Sequence, residues 1–205
     1  PRFDGSVSVE KCLRQRRSVR AFKRERSNLS VVSQLLWAAQ GVTQPMDAPP
    51  GWSWGPWQGG KRTAPSAGAT YPLELFVVVG DVEGITPGVY RYRPLEHCLD
   101  EAASGERRAA LASAASGQEW IKQAPVVFVV GAVPERTELK YGTRSARYVH
   151  IEAGHAAMNI CLQAVALGLG STVVGAFHDE SVKKVVGMTN DEIPLLVVPV
   201  GTPAE

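Results

Sequence analysis

RTAPSAGATYPLELFVVV, residues 62–79, is a loop of small residues that leads directly into an apolar strand. Residues 66–69 carry almost no side-chain bulk, so their backbone can lie against a flat ring or a phosphate. Gly68 permits backbone angles that are closed to other residues. Pro65 restricts the start of the loop, and Arg62 places a fixed positive charge beside it. Such a loop is either a tight turn or a ligand contact, and the rest of the chain has to decide between them.

The length and composition favour one globular domain that covers residues 1–205. Apolar residues make up 44% of the chain and charged residues 20%, which is ordinary for a globular protein with a sizeable core. The formal net charge of +2 is too small to indicate a nucleic-acid partner. We therefore expect a small-molecule substrate and no role in nucleic-acid binding.

The cysteines and the hydropathy favour a cytoplasmic protein. Cys12, Cys98 and Cys161 are odd in number and widely spaced, so neither a disulfide framework nor a zinc knuckle is indicated. Unpaired cysteines of this kind suit a reducing compartment. The sequence has no apolar run near the ~20 residues that span a membrane, and no signal-peptide pattern.

Apolar runs and cap residues predict a sheet that is covered by helices on both faces. Strands are predicted at residues 73–79, 88–93, 125–133 and 195–200. Helices are predicted at residues 9–16, from Asn28 or Ser30 to Gly41, at 106–115, at 147–167, and at 181–186 after an Asp179 cap. Residues 42–61 are predicted to be a loop. Apolar strands separated by helices indicate an α/β or α+β fold.

A basic segment, Arg16-Arg17-Ser18-Val19-Arg20, follows the first predicted helix. In an extended or turning backbone, Arg16, Ser18 and Arg20 would point to one side. Two guanidinium groups and a hydroxyl that converge in this way suit a phosphate and an electron-rich ring edge. The alternative is a solvated basic surface, which is what most clusters of basic residues form.

Two further patterns do not match the ligand sites that they resemble at first sight. Gly168, Gly170 and Gly175 follow a helix rather than a strand, and Val173 occupies the third glycine position, so a dinucleotide-binding turn is rejected. His150 and His155 are five residues apart, which turns them roughly 140° from each other on a helix. Polar helix contacts explain this pair better than a metal site does.

The pair Lys140-Tyr141 precedes the long predicted helix. A lysine or tyrosine held beside a flat electrophile can act as a general acid or base once burial tunes its pKa. The alternative is an ordinary exposed loop.

Three tryptophans, Trp52, Trp54 and Trp57, lie in a segment rich in glycine and proline. They could stack on a flat substrate or line a cavity, or they could equally fill a gap over the core. The sequence leaves both interpretations open.

Together these segments resemble the nitroreductase superfamily of flavin-dependent enzymes, and within it the SagB-type dehydrogenases, which include azoline oxidases of peptide natural-product pathways. The resemblance covers nearly the whole chain in the right order. The matching stretches are RRSVRAF (16–22), LLWAAQGVT (35–43), RTAPSAGATYPLELFVVV (62–79), GVYRYRP (88–94), LKYGTR (139–144), RYVHIEAGHAAMNICLQAVALGLG (147–170), VVGAF (173–177) and PLLVVPVG (194–201).

The resemblance implies an α+β fold, with a central, mostly antiparallel sheet flanked by helices, in an intertwined homodimer. FMN would lie at the subunit interface and carry hydride between a donor, with NAD(P)H as one candidate, and a small organic acceptor. By position, the FMN phosphate and ribityl chain would be held by Arg16, Arg17, Ser18 and Arg20, with Arg20 reaching the pyrimidine edge of the ring. The other subunit would contribute Pro65, Ser66, Ala67 and Gly68 beside the isoalloxazine, while Val174 and Gly175 would lie near its reactive nitrogen.

Lys140 and Tyr141 match the lysine–tyrosine pair that the resemblance links to azoline oxidation, in which a base removes a ring proton while hydride passes to the flavin. The chain departs from the pattern in two places. Members of the family usually carry a basic residue near the C-terminus that grips the FMN phosphate, and residues 201–205 offer none. The tryptophan-rich stretch at 51–57 is also unusual. A flavin-binding member of the family without redox turnover is therefore the alternative function.

Overall fold

The computed structural model describes residues 1–204 and has an antiparallel sheet at its centre. Within those residues the helices are α1 (Val9–Gln15), α2 (Leu29–Gln40), α3 (Arg108–Ala114), α4 (Glu119–Gln123), α5 (Glu135–Tyr141), α6 (Ser145–Ala166) and α7 (Asp179–Val186). The strands are β1 (Ser27–Asn28), β2 (Val42–Pro45), β3 (Gly60–Arg62), β4 (Leu73–Val79), β5 (Val82–Glu83), β6 (Gly88–Arg93), β7 (Cys98–Ser104), β8 (Val126–Ala132), β9 (Gly170–Ser171) and β10 (Ile193–Gly201).

The central sheet of the described chain has six strands in the order β7-β6-β4-β8-β10-β9, and every neighbouring pair is antiparallel. Strand β4 lies inside the sheet and is buried on both faces. Leu75 and Val77 point into one hydrophobic cluster, while Phe76 and Val78 point into the other. Successive strand residues face opposite sides, so a strand covered twice reads as the continuous apolar run seen in the sequence.

Helices cover both faces of this sheet. One cluster includes the buried residues of α2 and α6, and the other includes those of α3, α4 and α7. The α+β fold with a mostly antiparallel central sheet, predicted from the resemblance, is therefore confirmed. The intertwined homodimer stays a prediction.

Helix α6 is the longest helix that the structure describes, with 22 residues. Its small residues Ala153, Ala156 and Ala157 are buried, which lets α2 and the sheet approach its backbone closely. The helix ends where Gly168 adopts a φ of +75°, a left-handed conformation that glycine adopts without strain. Glu152 lies on the buried side of this helix and is 2% exposed.

Three local predictions need correction. The predicted loop at 42–61 contains the hairpin strands β2 and β3, in which Val42 pairs with Arg62. Strand β7 was not predicted because it is a largely exposed edge strand with a polar sequence. Helix α7 begins at Asp179 rather than two residues later, and its cap position is His178, so Asp179 belongs to the first turn, where its charge complements the helix dipole.

Among the helices of residues 1–204, none combines the length and the apolar character that a membrane crossing requires.

Candidate active site

The small-residue loop adopts an unusual backbone conformation. Gly68 has a φ of +58° inside a short 3-10 turn, Ala67–Ala69. Ala69 and Tyr71 also have positive φ values, of 56° and 42°. For residues with a side chain, this conformation costs on the order of 1–2 kcal/mol each. The loop therefore holds its shape only because its surroundings enforce it.

Side-chain hydrogen bonds hold the small-residue loop in this conformation. The Tyr71 amide donates to Ser66 Oγ at 2.8 Å, and the Thr70 hydroxyl lies 3.0 Å from the Ala67 carbonyl oxygen, to which it donates. The Thr70 hydroxyl also lies 2.9 Å from the hydroxyl of Thr137, which is buried in α5. These contacts tie the loop to itself and to helix α5.

Lys140 and Tyr141, at the end of α5, reach the loop at Gly68. Lys140 Nζ donates to the Gly68 carbonyl oxygen at 3.4 Å. A Cβ atom built on Gly68 would lie 2.6 Å from Tyr141 Oη and 2.7 Å from Lys140 Nζ. The absence of a side chain at Gly68 is therefore what allows both polar groups to approach the loop backbone. The alternative of a simple exposed loop at 140–141 is wrong, because these residues end a helix that packs on the site.

The tryptophan-rich segment lies over Lys140. The ring centroids of Trp52 and Trp54 are 5.5 and 5.8 Å from Lys140 Nζ. Trp57 packs edge-on against Trp52 with ring centroids 4.8 Å apart, and its Nε1 donates to the Met46 carbonyl at 2.7 Å. Of the two interpretations left open by the sequence, the structure favours rings that line the site.

A buried carboxyl group lies beneath the loop. Glu152 is almost fully buried, and within residues 1–204 neither of its carboxylate oxygens has a hydrogen-bond partner. Burial raises the pKa of Glu152 to about 7, although the Ser66 hydroxyl, the Arg62 charge and the Ala67 amide act in the opposite direction. The sequence pattern did not predict a role for this residue. An acidic residue among the small, buried residues of a long helix is the signal that could have identified it.

Arg62 is a charged neighbour of this carboxyl group. Its Nη1 donates to Gln40 Oε1 at 3.0 Å, and its Cζ lies 4.4 Å from the centroid of the Tyr71 ring. Burial lowers the pKa of Arg62, with Tyr71, Glu74 and Glu152 acting in the opposite direction. The positive charge that the sequence places beside the loop is thus held inside the protein rather than in solvent.

The basic segment lies elsewhere in the chain, along β9. The Val19 amide donates to the Ser171 carbonyl at 2.9 Å, and Ser18 forms a parallel bridge with Ser171. Arg16 is half-buried, whereas Ser18 is exposed. Two further guanidinium groups are exposed at this segment: Arg17, whose Nη1 donates to the Arg14 and Arg16 carbonyls, and Arg20, whose Cζ lies 5.9 Å from the Trp120 ring.

Val174 and Gly175 lie near the same segment. Val174 exchanges two backbone hydrogen bonds with Val197 of β10, at 2.8 and 2.9 Å, so its position is fixed. Gly175 is exposed, and a Cβ atom there would meet nothing within 4 Å in the described chain. Arg16 and Val173 line a shared groove of about 320 Å³. The groove therefore brings Arg16 of the basic segment together with Val173, the residue that precedes Val174.

These two groups of residues lie on opposite sides of α6. Glu152 faces the small-residue loop, whereas Gly154 and Cys161 line the groove beside Arg16. Cys161 follows Glu152 by nine residues, which is about two and a half helical turns, so the two positions point in opposite directions. Within one chain, the loop and the basic segment do not face the same space.

A polar chain without a signal in the sequence pattern lies outside this region. His97 Nε2 lies 2.7 Å from Ser33 Oγ, and His97 Nδ1 lies 2.8 Å from Tyr92 Oη. Burial lowers the pKa of His97 and raises that of Tyr92. Both ring nitrogens are thus engaged, which links helix α2 to the β6–β7 hairpin.

An antiparallel sheet covered by helices on both faces is also the fold of solved proteins described as nitroreductases. The chain belongs to the nitroreductase family, whose model matches residues 13–202. A candidate nitroreductase of Methanocaldococcus jannaschii is 42% identical over 199 residues, which cover 97% of this chain and 93% of that protein.

More distant relatives agree with this assignment. The microcin B17-processing protein McbC of Escherichia coli is 28% identical over 143 residues, which cover 67% of this chain and 53% of McbC. The crystal structure of a candidate nitroreductase from Ralstonia eutropha JMP134 superposes with a TM-score of 0.81 at 27% identity, and covers 100% of this chain and 87% of that one. Family and relatives together support an oxidoreductase.

Proposed function

We propose that this protein is a homodimeric, FMN-dependent oxidoreductase that transfers hydride between a donor and a small organic acceptor. The observation that carries the proposal is the opposite orientation of the two candidate half-sites around α6. A second copy of the chain would bring the loop of one subunit to the basic segment of the other. The unpaired cysteines would fit a reducing cytoplasm.

The residues present fit FMN. Arg16, Arg17, Ser18 and Arg20 offer guanidinium and hydroxyl donors to the phosphate and ribityl chain, with Arg20 at the pyrimidine edge. Pro65, Ser66, Ala67 and Gly68 of the partner chain offer a face without bulky side chains, and the open space at Gly175, next to the buried Val174, leaves room for a ring. When bound, FMN supplies the hydride chemistry.

Lys140 and Tyr141 are the proposed catalytic residues. Their polar groups converge at Gly68, which is the part of the loop that would adjoin the ring. Here they can bind a polar atom of the substrate, orient it, and move a proton. The bond from the Tyr71 amide to Ser66 Oγ and the bond from the Thr70 hydroxyl to the Ala67 carbonyl hold the loop behind them in place.

Two reactions fit this site, and the family relatives support one each. The first is an NAD(P)H-dependent reduction of nitro compounds or quinones; the M. jannaschii relative, a candidate nitroreductase, supports a nitro compound as the substrate. The second is a SagB-like dehydrogenation of thiazoline or oxazoline rings, supported by the similarity to McbC. Steady-state oxidation of NADPH with a nitroaromatic compound favours the first. Flavin reduction by an azoline peptide, lost in Lys140→Ala, favours the second.

The homodimer and its shared site can be tested by subunit complementation. Arg16→Ala removes a donor from one half-site, and Gly68→Val blocks the other. Each variant alone is expected to bind FMN poorly. When equal amounts are unfolded and refolded together, half of the dimers are mixed and each mixed dimer has one intact site, so about a quarter of the wild-type FMN binding returns. If no binding returns although mixed dimers form, the shared site is wrong.

A flavin-binding protein without redox turnover is the alternative function. The visible absorption spectrum of the purified protein reports bound FMN directly. Anaerobic addition of NADPH, followed by a quinone, then reports whether the flavin is reduced and reoxidised at ordinary enzyme rates. Bound flavin that stays oxidised with NADPH and with azoline peptides would support the alternative.

A further inference from the structure

A second groove lies between helix α2 and the β6–β7 hairpin, and none of the residues proposed for FMN or for catalysis lines it. We propose that this groove binds an uncharged, largely apolar small molecule, and that the Ser33 hydroxyl forms the directional hydrogen bond to that ligand. The inference goes beyond the proposed function, because it concerns residues outside the proposed flavin site. It assigns a role to the polar chain of Ser33, His97 and Tyr92.

The groove has the volume and the apolar wall of a small-molecule site. Its volume is about 580 Å³, and Leu29 and Leu36 of α2 contribute to the wall together with Ile85. Binding sites for small molecules usually enclose about 300–1,000 Å³ and have mainly apolar linings. Leu36 is 2% exposed and Leu29 is 38% exposed, so the wall extends from the core to the surface. A ligand on this wall would remove apolar surface from water.

Charged side chains are absent from the lining of the groove, as the structure describes it for residues 1–204. The lining contains no Asp, Glu, Lys or Arg, although 20% of the chain is charged. Burial lowers the pKa of His97 and raises that of Tyr92, so both groups are neutral near pH 7. A charged ligand would lose its hydration here without meeting an opposite charge, whereas an uncharged ligand would not. The lining therefore favours an uncharged ligand.

The half-buried Ser33 hydroxyl lines the groove and keeps hydrogen-bonding capacity for a ligand. Its oxygen lies 2.7 Å from His97 Nε2, and His97 Nδ1 lies 2.8 Å from Tyr92 Oη. A neutral imidazole has one donor and one acceptor nitrogen, so the chain can adopt two tautomers. With the proton on Nδ1, the Ser33 hydroxyl donates to Nε2 and its oxygen can accept from a ligand. With the proton on Nε2, Ser33 Oγ accepts that hydrogen bond, and the hydroxyl can donate to a ligand.

The backbone of His97 supports a functional role for the polar chain. Its φ of +49° lies in the left-handed region, in the turn between β6 and β7. Glycine or asparagine usually occupies such a position in a hairpin, and another residue costs on the order of 1 kcal/mol. Strained backbones of this kind are concentrated at binding and catalytic sites. The position therefore has a histidine for the sake of its ring rather than of its backbone.

Two fluorescent probes of the same skeleton test the charge of the ligand. N-phenyl-naphthylamine is uncharged, and anilinonaphthalene sulfonate adds one sulfonate group to it. Both fluoresce more strongly in an apolar site. We expect the uncharged probe to bind one site per chain, at least about tenfold more tightly than the sulfonate. Excess FMN should not displace it, because the groove lies outside the proposed flavin site.

Three variants locate the bound probe. Ile85→Trp places a larger side chain in the groove and should weaken binding of the uncharged probe about tenfold or more. Val9→Trp adds the same ring at a 64% exposed position of α1 and should bind the probe like the wild type. Ser30→Lys adds a cation at the exposed rim of the groove. It should strengthen sulfonate binding about two- to fivefold and leave the uncharged probe unaffected.

The tautomer of His97 tests the role of Ser33 in the wild-type protein. The chain contains four histidines, so nitrogen NMR of histidine-labelled protein resolves their rings, and His97→Gln assigns the signals of His97. N-phenyl-naphthylamine donates a hydrogen bond and should shift His97 toward the Nδ1–H form. Acetylnaphthalene, which only accepts one, should shift it toward the Nε2–H form.

Three results would overturn the proposal: equal or tighter binding of the sulfonate by the wild type, unchanged probe binding in Ile85→Trp, or a His97 tautomer that responds to neither ligand. Probe binding that weakens as the protein concentration rises would mean that a second copy of the chain covers the groove, and would overturn it as well. The protein titrated in the tautomer measurement is the wild type, so that measurement decides the question even where Ile85→Trp does not fold.

Discussion

Lys140 Nζ lies 3.4 Å from the carbonyl oxygen of Gly68, and the space that a side chain at Gly68 would need is occupied by Lys140 and Tyr141. Residues 72 positions apart in the sequence thus form one surface. The contact joins the loop that adjoins the proposed flavin to the proposed catalytic pair, so a change at either position should affect both stability and turnover.

Gly68→Ala should destabilise the protein and reduce activity. The substitution places a Cβ atom on the two polar groups and forces alanine into a left-handed conformation, with an expected cost of about 1–3 kcal/mol in unfolding free energy. Gly187→Ala is the matched control, because Gly187 has a φ of +73° and its Cβ position meets its nearest neighbour at an ordinary 3.6 Å. Urea unfolding and kcat compare the two. An equal loss of stability and activity in both variants would assign the effect to the backbone alone.

Glu152 should make stability fall as the pH rises. The folded carboxyl keeps its proton up to about pH 7, whereas an unfolded glutamate loses it near 4.5, so the folded state binds more protons between these values. The stabilisation is present below pH 4.5 and is lost by about pH 7, by an amount on the order of 3 kcal/mol.

The Glu152→Gln variant removes that ionisation, so its stability relative to the wild type should increase between pH 5 and pH 8. Urea unfolding of the FMN-free protein at fixed concentration measures this difference. Glu138→Gln, at an exposed position of α5, should follow the wild type at every pH. Parallel curves for wild type and Glu152→Gln would refute the assignment.

His97 should act in the opposite direction. Burial lowers the pKa of His97, so near pH 6.5 the folded state binds fewer protons than the unfolded state. The stabilisation from the neutral His97 ring is therefore complete above about pH 6.5 and is lost as the pH falls below it. His97→Gln should flatten the decline between pH 7 and pH 5. Ser33→Ala should cost about 1 kcal/mol at neutral pH by removing one hydrogen bond. Thermal unfolding across this range measures both, and an unchanged acid limb in His97→Gln would contradict the prediction.

Arg16→Ala should weaken FMN binding by about ten- to a hundredfold, which corresponds to the loss of one or two charge-assisted hydrogen bonds. Arg24→Ala removes an exposed arginine that lies four residues beyond the basic segment, and this variant should bind FMN like the wild type. Quenching of FMN fluorescence measures both affinities. Equal weakening in the two variants would mean that the arginines attract FMN only through their general positive charge, and that Arg16 does not bind the phosphate directly.

Much of the fold follows from local pattern. Strands β4 and β8 are predictable because burial on both faces makes every residue apolar, and α6 ends at Gly168 as expected. Strand β7 and helix α5 could not be predicted in this way, because an edge strand and a short helix packed on a loop do not need a strong apolar pattern. Helix α5 still has a signal, Pro134 followed by Glu135 and Glu138, which is typical of a helix start.

The candidate site, like the fold, is predictable from the sequence only in part. The sequence by itself determined the chemistry available: a loop without bulk around Gly68, a basic segment around Arg16, and a lysine beside a tyrosine. Only the tertiary structure decided which of these meet, because contact across 72 residues depends on how the sheet and α6 pack. Packing placed Lys140 and the tryptophan rings on the Gly68 loop, buried Glu152 beneath it, and turned the basic segment to the other side of α6.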